Sequence, residues 1–354
     1  MRVRGRNLAI GLAVLPFLVV FIAWTGFFNV AASTGHWKIT EWFLHFAMRS
    51  SIRNYALWVD VPNQLPREGL QPAAGHFARG CAICHGAPGE PRSAAALAML
   101  PQPPDLAGVV ETWKDGELFR IVKHGVRYTG MPAWPTQARD DEVWAMVAFL
   151  RHLPSMEPVT YRALVHTEAP TRQGQTPGCE GVLTECSRCH GVDGMGRSPL
   201  TPPIAGQSEI YLLETLRAYA DGRRPSGIMQ LSVQAVDRLH LPALARHFSA
   251  LPRKTRVSDQ NDGAMRGEVI ARRGRPTDNV PACSGCHEGS ARNPVYPDIE
   301  GQSALYIATQ LRLFREGQRG GTRFSPIMQS AARRLSDEDI ADVAAYFSQL
   351  APKH

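Results

Sequence analysis

The chain is short of three things: net charge in most of its length, cysteine outside one recurring pattern, and long hydrophobic runs. Of the formal +7, residues 1–60 carry +4, while 61–169, 170–253, 254–265 and 266–354 carry −1, +2, 0 and +2. No segment is strongly basic, so nucleic-acid binding has no electrostatic footprint. Of seven cysteines, only Cys179 lies outside the pattern described next. It reads as a buried, inert thiol or, less simply, as a weakly reactive surface group. A single uncharged run approaches bilayer length, the 21 residues from Leu8 to Phe28.

What the chain does have is Cys-x-x-Cys-His, three times: Cys81-Ala-Ile-Cys84-His85, Cys186-Ser-Arg-Cys189-His190 and Cys283-Ser-Gly-Cys286-His287. This is the attachment signature of c-type haem: two thiols bond the haem vinyl groups and the adjacent His reaches the iron. One copy would leave a redox or zinc pair open. The copies recur at spacings of 105 and 97 residues, the size of a small domain that a buried cofactor helps to hold together. The expected cofactors are therefore three covalently attached haem c groups, one per domain.

Leu8–Phe28 would span about 31 Å as a helix, enough for a bilayer core, and Pro16 is tolerable inside it. Arg2, Arg4 and Arg6 place its N-terminus in the cytoplasm. The rival is a cleaved signal peptide ending near Val30-Ala31-Ala32, but signal h-regions are shorter. The expectation is a retained single-pass anchor in a bacterial inner membrane, with the haem domains in the periplasm. Beyond it, Ile39, Trp42, Phe43 and Phe46 share one helix face within residues 36–58. That face suits an interfacial helix on the membrane surface, or a docking face for an integral-membrane partner. His36 and His45 are read as ordinary residues of this segment.

Each motif is followed by the same order of features. First comes a Pro-x-(Leu/Ile)-x-Gly loop at Pro104–Gly108, Pro202–Gly206 and Pro297–Gly301, then a helix, a methionine-bearing loop and a closing helix. In the second and third copies Gly206-Gln207-Ser208 answers Gly301-Gln302-Ser303, and Ile228-Met229-Gln230 answers Ile327-Met328-Gln329. These two read as a tandem duplication. The first copy is more distant, with a helix from Asp115, as its cap, to Lys123, then Gly130-Met131-Pro132-Ala133-Trp134 and a closing helix from about Asp140 to Leu150. Ser336 reads as the N-cap of the last helix. Met131, Met229 and Met328 are thus the expected second axial ligands, opposite His85, His190 and His287. A loop methionine alone more often fills a core gap, but three at equivalent positions favour ligation. Met195 is too close to His190 to cross to the other haem face, and His124 lies on the preceding helix.

On these residues all three modules resemble class I cytochrome c domains, and residues 178–354 resemble tandem di-haem cytochromes c. Glu288 departs from the family's usual Cys-x-x-Cys-His-Gly. The resemblance implies an all-α fold: three tandem class I cytochrome c domains behind an N-terminal transmembrane helix. The expected division is 1–60 (Arg-rich start, anchor and interfacial helix), 61–153, a linker at 154–177, 178–253 and 254–354. Pro154, Pro158, Pro170 and Pro177 mark the linker as an extended, semi-rigid spacer, and Pro252–Asn261 as a shorter one. The resemblance also implies that Pro104, Pro202 and Pro297 give their carbonyls to the proximal histidines. Arg223, Arg224, Arg319 and Arg323 are open between pairing with haem propionates and plain solvation.

The function so implied is a periplasm-facing relay of single electrons in a respiratory chain, not an enzyme in its own right and with no catalytic residues. Its partners are a redox donor and acceptor. One alternative makes the chain the cytochrome subunit of a membrane dehydrogenase or a haem–copper oxidase. Another, catalysis at haem as in di-haem peroxidases, needs a five-coordinate iron that three methionine ligands would deny.

Overall fold

The computed structural model describes residues 5–26, 29–31, 33–35, 37–167, 179, 181–254, 262–289 and 293–352, with the side chains of 6–8 and 262 left out. His36, Pro170, Pro177, Asn261, Arg2, Arg4, Ala32, Phe28 and the side chains of Arg6 and Leu8, all invoked above, lie outside the described residues. Among those described the secondary structure is helical, with two isolated bridges and no strand. Three apolar cores follow one another along the chain. The first is built from Ala73 to Val165, the second from Cys179 to Phe248 and the third from Ile270 to Phe347.

Residues Gly5–Trp24 form a helix with Pro16 inside it, which stops before Gly26 (φ 74°). Among the described residues no helix is long and apolar enough to cross a membrane. The next helix, Lys38–Ala56, buries none of its residues. One side docks on the first module: Arg49 stacks on Trp113 at 4.3 Å, Arg120 on Tyr55 at 4.8 Å, and Arg53 reaches Glu117 at 3.8 Å. The row Ile39, Trp42, Phe43 and Phe46 faces outward, each more than half exposed. His45 is also exposed.

In the first module Leu70–Gly80 leads into the first motif and crosses the closing helix Asp140–His152, with Phe77 and Phe149 meeting at 5.1 Å between ring centroids. The intervening helix is Asp115–His124, ended at Gly125 (φ 63°). Its cap is not Asp115: the Glu117 carboxylate accepts from Lys114 N–H at 2.8 Å, and Asp115 is taken by Arg151 at 2.7 Å. The described part of the expected spacer, residues 154–167, is not extended. Pro158–Val165 is a helix, and Tyr161 is fully buried against Phe77 in the first core. Proline at the first helical position starts this helix rather than preventing it.

The second and third modules repeat one plan. Glu209–Ala220 and Ala304–Arg315 are the middle helices, and Leu241–Ala250 and Asp337–Gln349 close the modules. Gly206 N–H donates to Phe248 O at 3.0 Å and Gly301 N–H to Phe347 O at 2.9 Å. The two modules are joined reciprocally through repeat-equivalent side chains. Gln207 Nε2 donates to Asp298 O at 2.6 Å, and Gln302 Nε2 donates to Pro203 O at 2.7 Å. Arg253 pairs with Asp298 at 3.3 Å in the same seam, both side chains being at most 4 % exposed.

Ser336 caps the last helix as expected, accepting from Asp339 N–H at 3.1 Å while Asp339 accepts from Ser336 N–H at 2.8 Å. Arg275 also grips Asp339 in two bonds of 2.7 and 2.8 Å. Burial pushes the Asp339 carboxyl up, but the Arg275 and Ser336 bonds outweigh it and hold the group below its ordinary value. A depressed carboxyl stabilises the fold above its unfolded pKa of about 3.9 and loses that contribution as pH falls through the folded value. The D339N variant is therefore expected to melt lower than the parent at pH 5 and to match it more closely near pH 2, as read by thermal denaturation across that range.

Candidate haem sites

Each motif histidine sits at the end of a helical turn: Ala82–His85, Leu183–His190 and Ser284–His287. In all three, Nδ1 lies at hydrogen-bond distance from a loop carbonyl: His85 from Pro104 O at 2.9 Å, His190 from Pro202 O at 3.1 Å and His287 from Pro297 O at 2.9 Å. A ring whose Nδ1–H is committed this way presents Nε2 as the free lone pair, which fixes tautomer and orientation for a metal. Burial pushes His190 down to about 4, partly opposed by the Pro202 bond, so its imidazole is neutral. Burial, with Arg92 adding to it against the Pro104 bond, lowers His85 too.

Burial pushes Cys81 and Cys186 up to about 12 and Cys189 and Cys283 to about 11. Redox and zinc cysteines require depressed values and thiolates. Among the described residues no group of three or more His, Cys, Asp or Glu is placed to hold a metal ion between them. The pairs thus differ from zinc sites in the company they keep.

The second site surrounds a cavity. Cys186, Cys189, His190 and Met229 line one cavity of about 180 Å³, walled by Leu212 and Phe248. Two thiols, a neutral imidazole and a thioether around one apolar space fit a covalently held haem. Arg224 also lines this cavity, and its guanidinium lies over the Tyr219 ring at 4.7 Å. Burial, then the nearby Arg224 guanidinium, push Arg319 below the usual arginine range. Arg224 is also held by Thr215 Oγ1 at 3.4 Å. Arg223 is otherwise engaged, with Asp221 and Gly321 O. Arg323 is exposed, its N–H held by Glu214 at 2.7 Å.

Met229 and Met328 do not lie in loops: they sit in the short helices Gly227–Gln234 and Ser325–Ala332. Met229 and Cys186 pack against one core, Met328 and Cys283 against another. Met131 does lie in a loop, its N–H bonded to Thr129 Oγ1 at 3.1 Å. His124 points to the exposed surface, and Met195 and Cys179 are buried. The inert reading of Cys179 follows.

Glu288 has a backbone reason. Gly86 and Gly191, which follow the first two motifs, have φ of 72° and 75°. At Glu288 φ is −117°, and the left-handed turn falls one residue later, on Gly289 at 86°. The freed side chain accepts from Tyr346 Oη at 3.2 Å and from Arg272 at 3.4 Å.

Sequence reasoning missed the contact between the first and second modules. Trp134, at the end of the first methionine loop, stacks 4.2 Å from His76 and lies against Gly227, where a Cβ would come within 2.1 Å of the indole nitrogen. Ile228 packs on the first core. The G227A variant must therefore push Trp134 aside, an overpacking cost of about 1–3 kcal/mol that denaturant unfolding would register.

Known proteins resemble the chain over most of its length after residue 68. Residues 69–150 match the family described as cytochrome C oxidase, cbb3-type, subunit III, and residues 178–261 and 277–351 match the family described as cytochrome c. Cytochrome c4 of Pseudomonas aeruginosa is 36 % identical over 180 residues, covering 50 % of this chain and 89 % of that protein. The thiosulfate dehydrogenase electron acceptor of Thiomonas intermedia is 33 % identical, covering 46 % of this chain and 77 % of that protein. The crystal structure of reduced recombinant cytochrome c4 from Pseudomonas stutzeri aligns with a TM-score of 0.45 at 32 % identity, over 52 % of this chain and all of that one. Matched from residue 69 onward by cytochrome c families, and built to hold haem c through paired cysteines, the chain belongs to the class I c-type cytochromes, which transfer electrons.

Proposed function

We propose that the chain is a membrane-anchored tri-haem cytochrome c that relays single electrons on the periplasmic side of a bacterial inner membrane. The observation that carries this reading is the threefold recurrence of one unit: a cysteine pair, a histidine whose Nδ1 faces a proline carbonyl, and a methionine on the following element. Cys81, Cys84, Cys186, Cys189, Cys283 and Cys286 would hold three haems, and His85 with Met131, His190 with Met229 and His287 with Met328 would bind the irons. The domains are 61–153, extended by the helix Pro158–Val165, then 178–253 and 254–354. Haem supplies the one-electron chemistry, while the chain supplies ligands, an apolar pocket and spacing. His/Met ligation raises the reduction potential and leaves no position for a substrate.

The uncharged run Leu8–Phe28 supports the anchor, and the outward row Ile39, Trp42, Phe43 and Phe46 supports a surface helix beside it. A second reading, a cytochrome subunit of an oxidase or dehydrogenase complex, is favoured by the match of residues 69–150 to an oxidase-subunit family and by one relative being an electron acceptor of a dehydrogenase. Extraction of the native protein in mild detergent separates the two. Migration as a single chain supports the relay, whereas a constant co-migrating redox protein supports the complex.

A further inference from the structure

The first module reaches into the second at the element that bears Met229. Glu142, on the closing helix Asp140–His152, is 6 % exposed. Its carboxylate collects five donors. Ser226 Oγ donates at 2.5 Å, Gly227 N–H at 2.6 Å and Ile228 N–H at 3.4 Å; Trp134 Nε1 donates at 3.3 Å, and Arg139 pairs at 2.9 Å. Three of these donors are the residues immediately before Met229. The N-terminus of the helix Gly227–Gln234 is thereby capped by a carboxylate from another module, where the helix dipole favours negative charge. Ser226 Oγ also accepts from Met229 N–H at 3.2 Å, linking Glu142 to Met229 through one hydroxyl.

The duplicated partner gives an internal comparison. In the third module Ser325-Pro326-Ile327 stands in place of Ser226-Gly227-Ile228. Pro326 has no N–H to donate, and Ser325 Oγ donates to Thr322 O at 2.7 Å. The second copy thus differs from the third where the first module touches it. A second contact lies on the other side of the same site. The helix Leu70–Gly80 approaches so closely that a Cβ on Gly75 would fall 2.9 Å from Cys189 Sγ.

We propose that Glu142 is a positioning residue for the second haem: from the first module it holds the helix that carries Met229 and so keeps that methionine on the iron. The helix that carries Met229 is then held at its N-terminus by a carboxylate of the first module, a contact that Pro326 denies to the helix that carries Met328. This inference rests on the reading of Met229 as an axial ligand.

The test uses the full haem-loaded chain with imidazole as a competing ligand. The ligated-methionine methyl resonances of the ferrous protein, assigned with the single Met131→Leu, Met229→Leu and Met328→Leu variants, identify each haem. Ferric-state titration with imidazole then measures how readily each methionine is displaced. Loss of a charge-assisted hydrogen-bond set predicts imidazole binding about tenfold tighter at the second haem in Glu142→Gln. A smaller shift in the same direction is expected in Ser226→Ala, with the third haem unchanged in both. If Glu142→Gln does not accumulate, Ser226→Ala decides alone. Unchanged imidazole affinity at the second haem, or an equal change at the third, overturns the proposal. A Met229→Leu protein that keeps all three methionine resonances overturns the ligation reading instead.

Discussion

Replacing both Cys186 and Cys189 with alanine is expected to remove one haem of three and to unfold the second module with it. The cavity they line sits among Leu212, Leu244 and Phe248 of the second core, whose helices enclose it. A module of this size has little apolar burial to spare, and a group that binds only the folded form supplies stability by linkage. With the thioether attachment gone, the walls around His190 and Met229 face an apolar void. Haem content by pyridine haemochrome assay should fall to about two-thirds, three attached haems being the starting point. The loss of helical signal should exceed that of the matching variant at Cys283 and Cys286, because the second module touches both neighbours: Arg139 and Glu142 on one side and Tyr306 on the other line the same cavity. Equal and minor losses of helix in the two variants would argue against that central position.

Replacing Arg253 with methionine should have the largest effect on stability away from the haems. Arg253 pairs with the Asp298 carboxylate at 3.3 Å and donates to the carbonyls of Asp298 and Glu300. All of this lies in the buried seam between the second and third modules. Removing one partner of a buried ion pair strands the other charge and costs about 3–5 kcal/mol. Methionine fills much of the volume, so the loss is electrostatic rather than a cavity. Guanidinium unfolding followed by the haem Soret band should show an earlier transition. Asp298→Asn in the same background should recover part of the loss, since it removes the stranded charge. No recovery would mean that Arg253 acts through its carbonyl contacts alone.

The local chemistry of this molecule was legible in its sequence to an uneven degree. Cys-x-x-Cys-His is a covalent pattern within five residues, so tertiary structure has little room to override it. The proline carbonyls facing the three histidines were anticipated from family resemblance, and the distances show them in place. The reciprocal Gln207 and Gln302 were visible as a repeat, but not as a joint, because pairing across modules depends on how the modules pack. Two helices or sets of helices are hidden in the sequence, for different reasons. Pro158 suggested an extended spacer yet starts a helix that Tyr161 anchors in the first core. The short helices bearing Met229 and Met328 were read as loops because each has only 8 residues, too few for a clear hydrophobic period. Glu142 sits in the first turn of the closing helix, where an acidic residue is ordinary. Nothing in a single sequence says that an acid at a helix start will cap a helix belonging to another module.

The account stands on three low-spin irons, each held by one histidine and one methionine. Near-infrared magnetic circular dichroism of the fully ferric protein, scaled to the chain concentration, reads ligand type and number together. The account predicts three His/Met haems per chain and no other signal. Fewer than three, or any iron with a high-spin or bis-histidine signature, would contradict it.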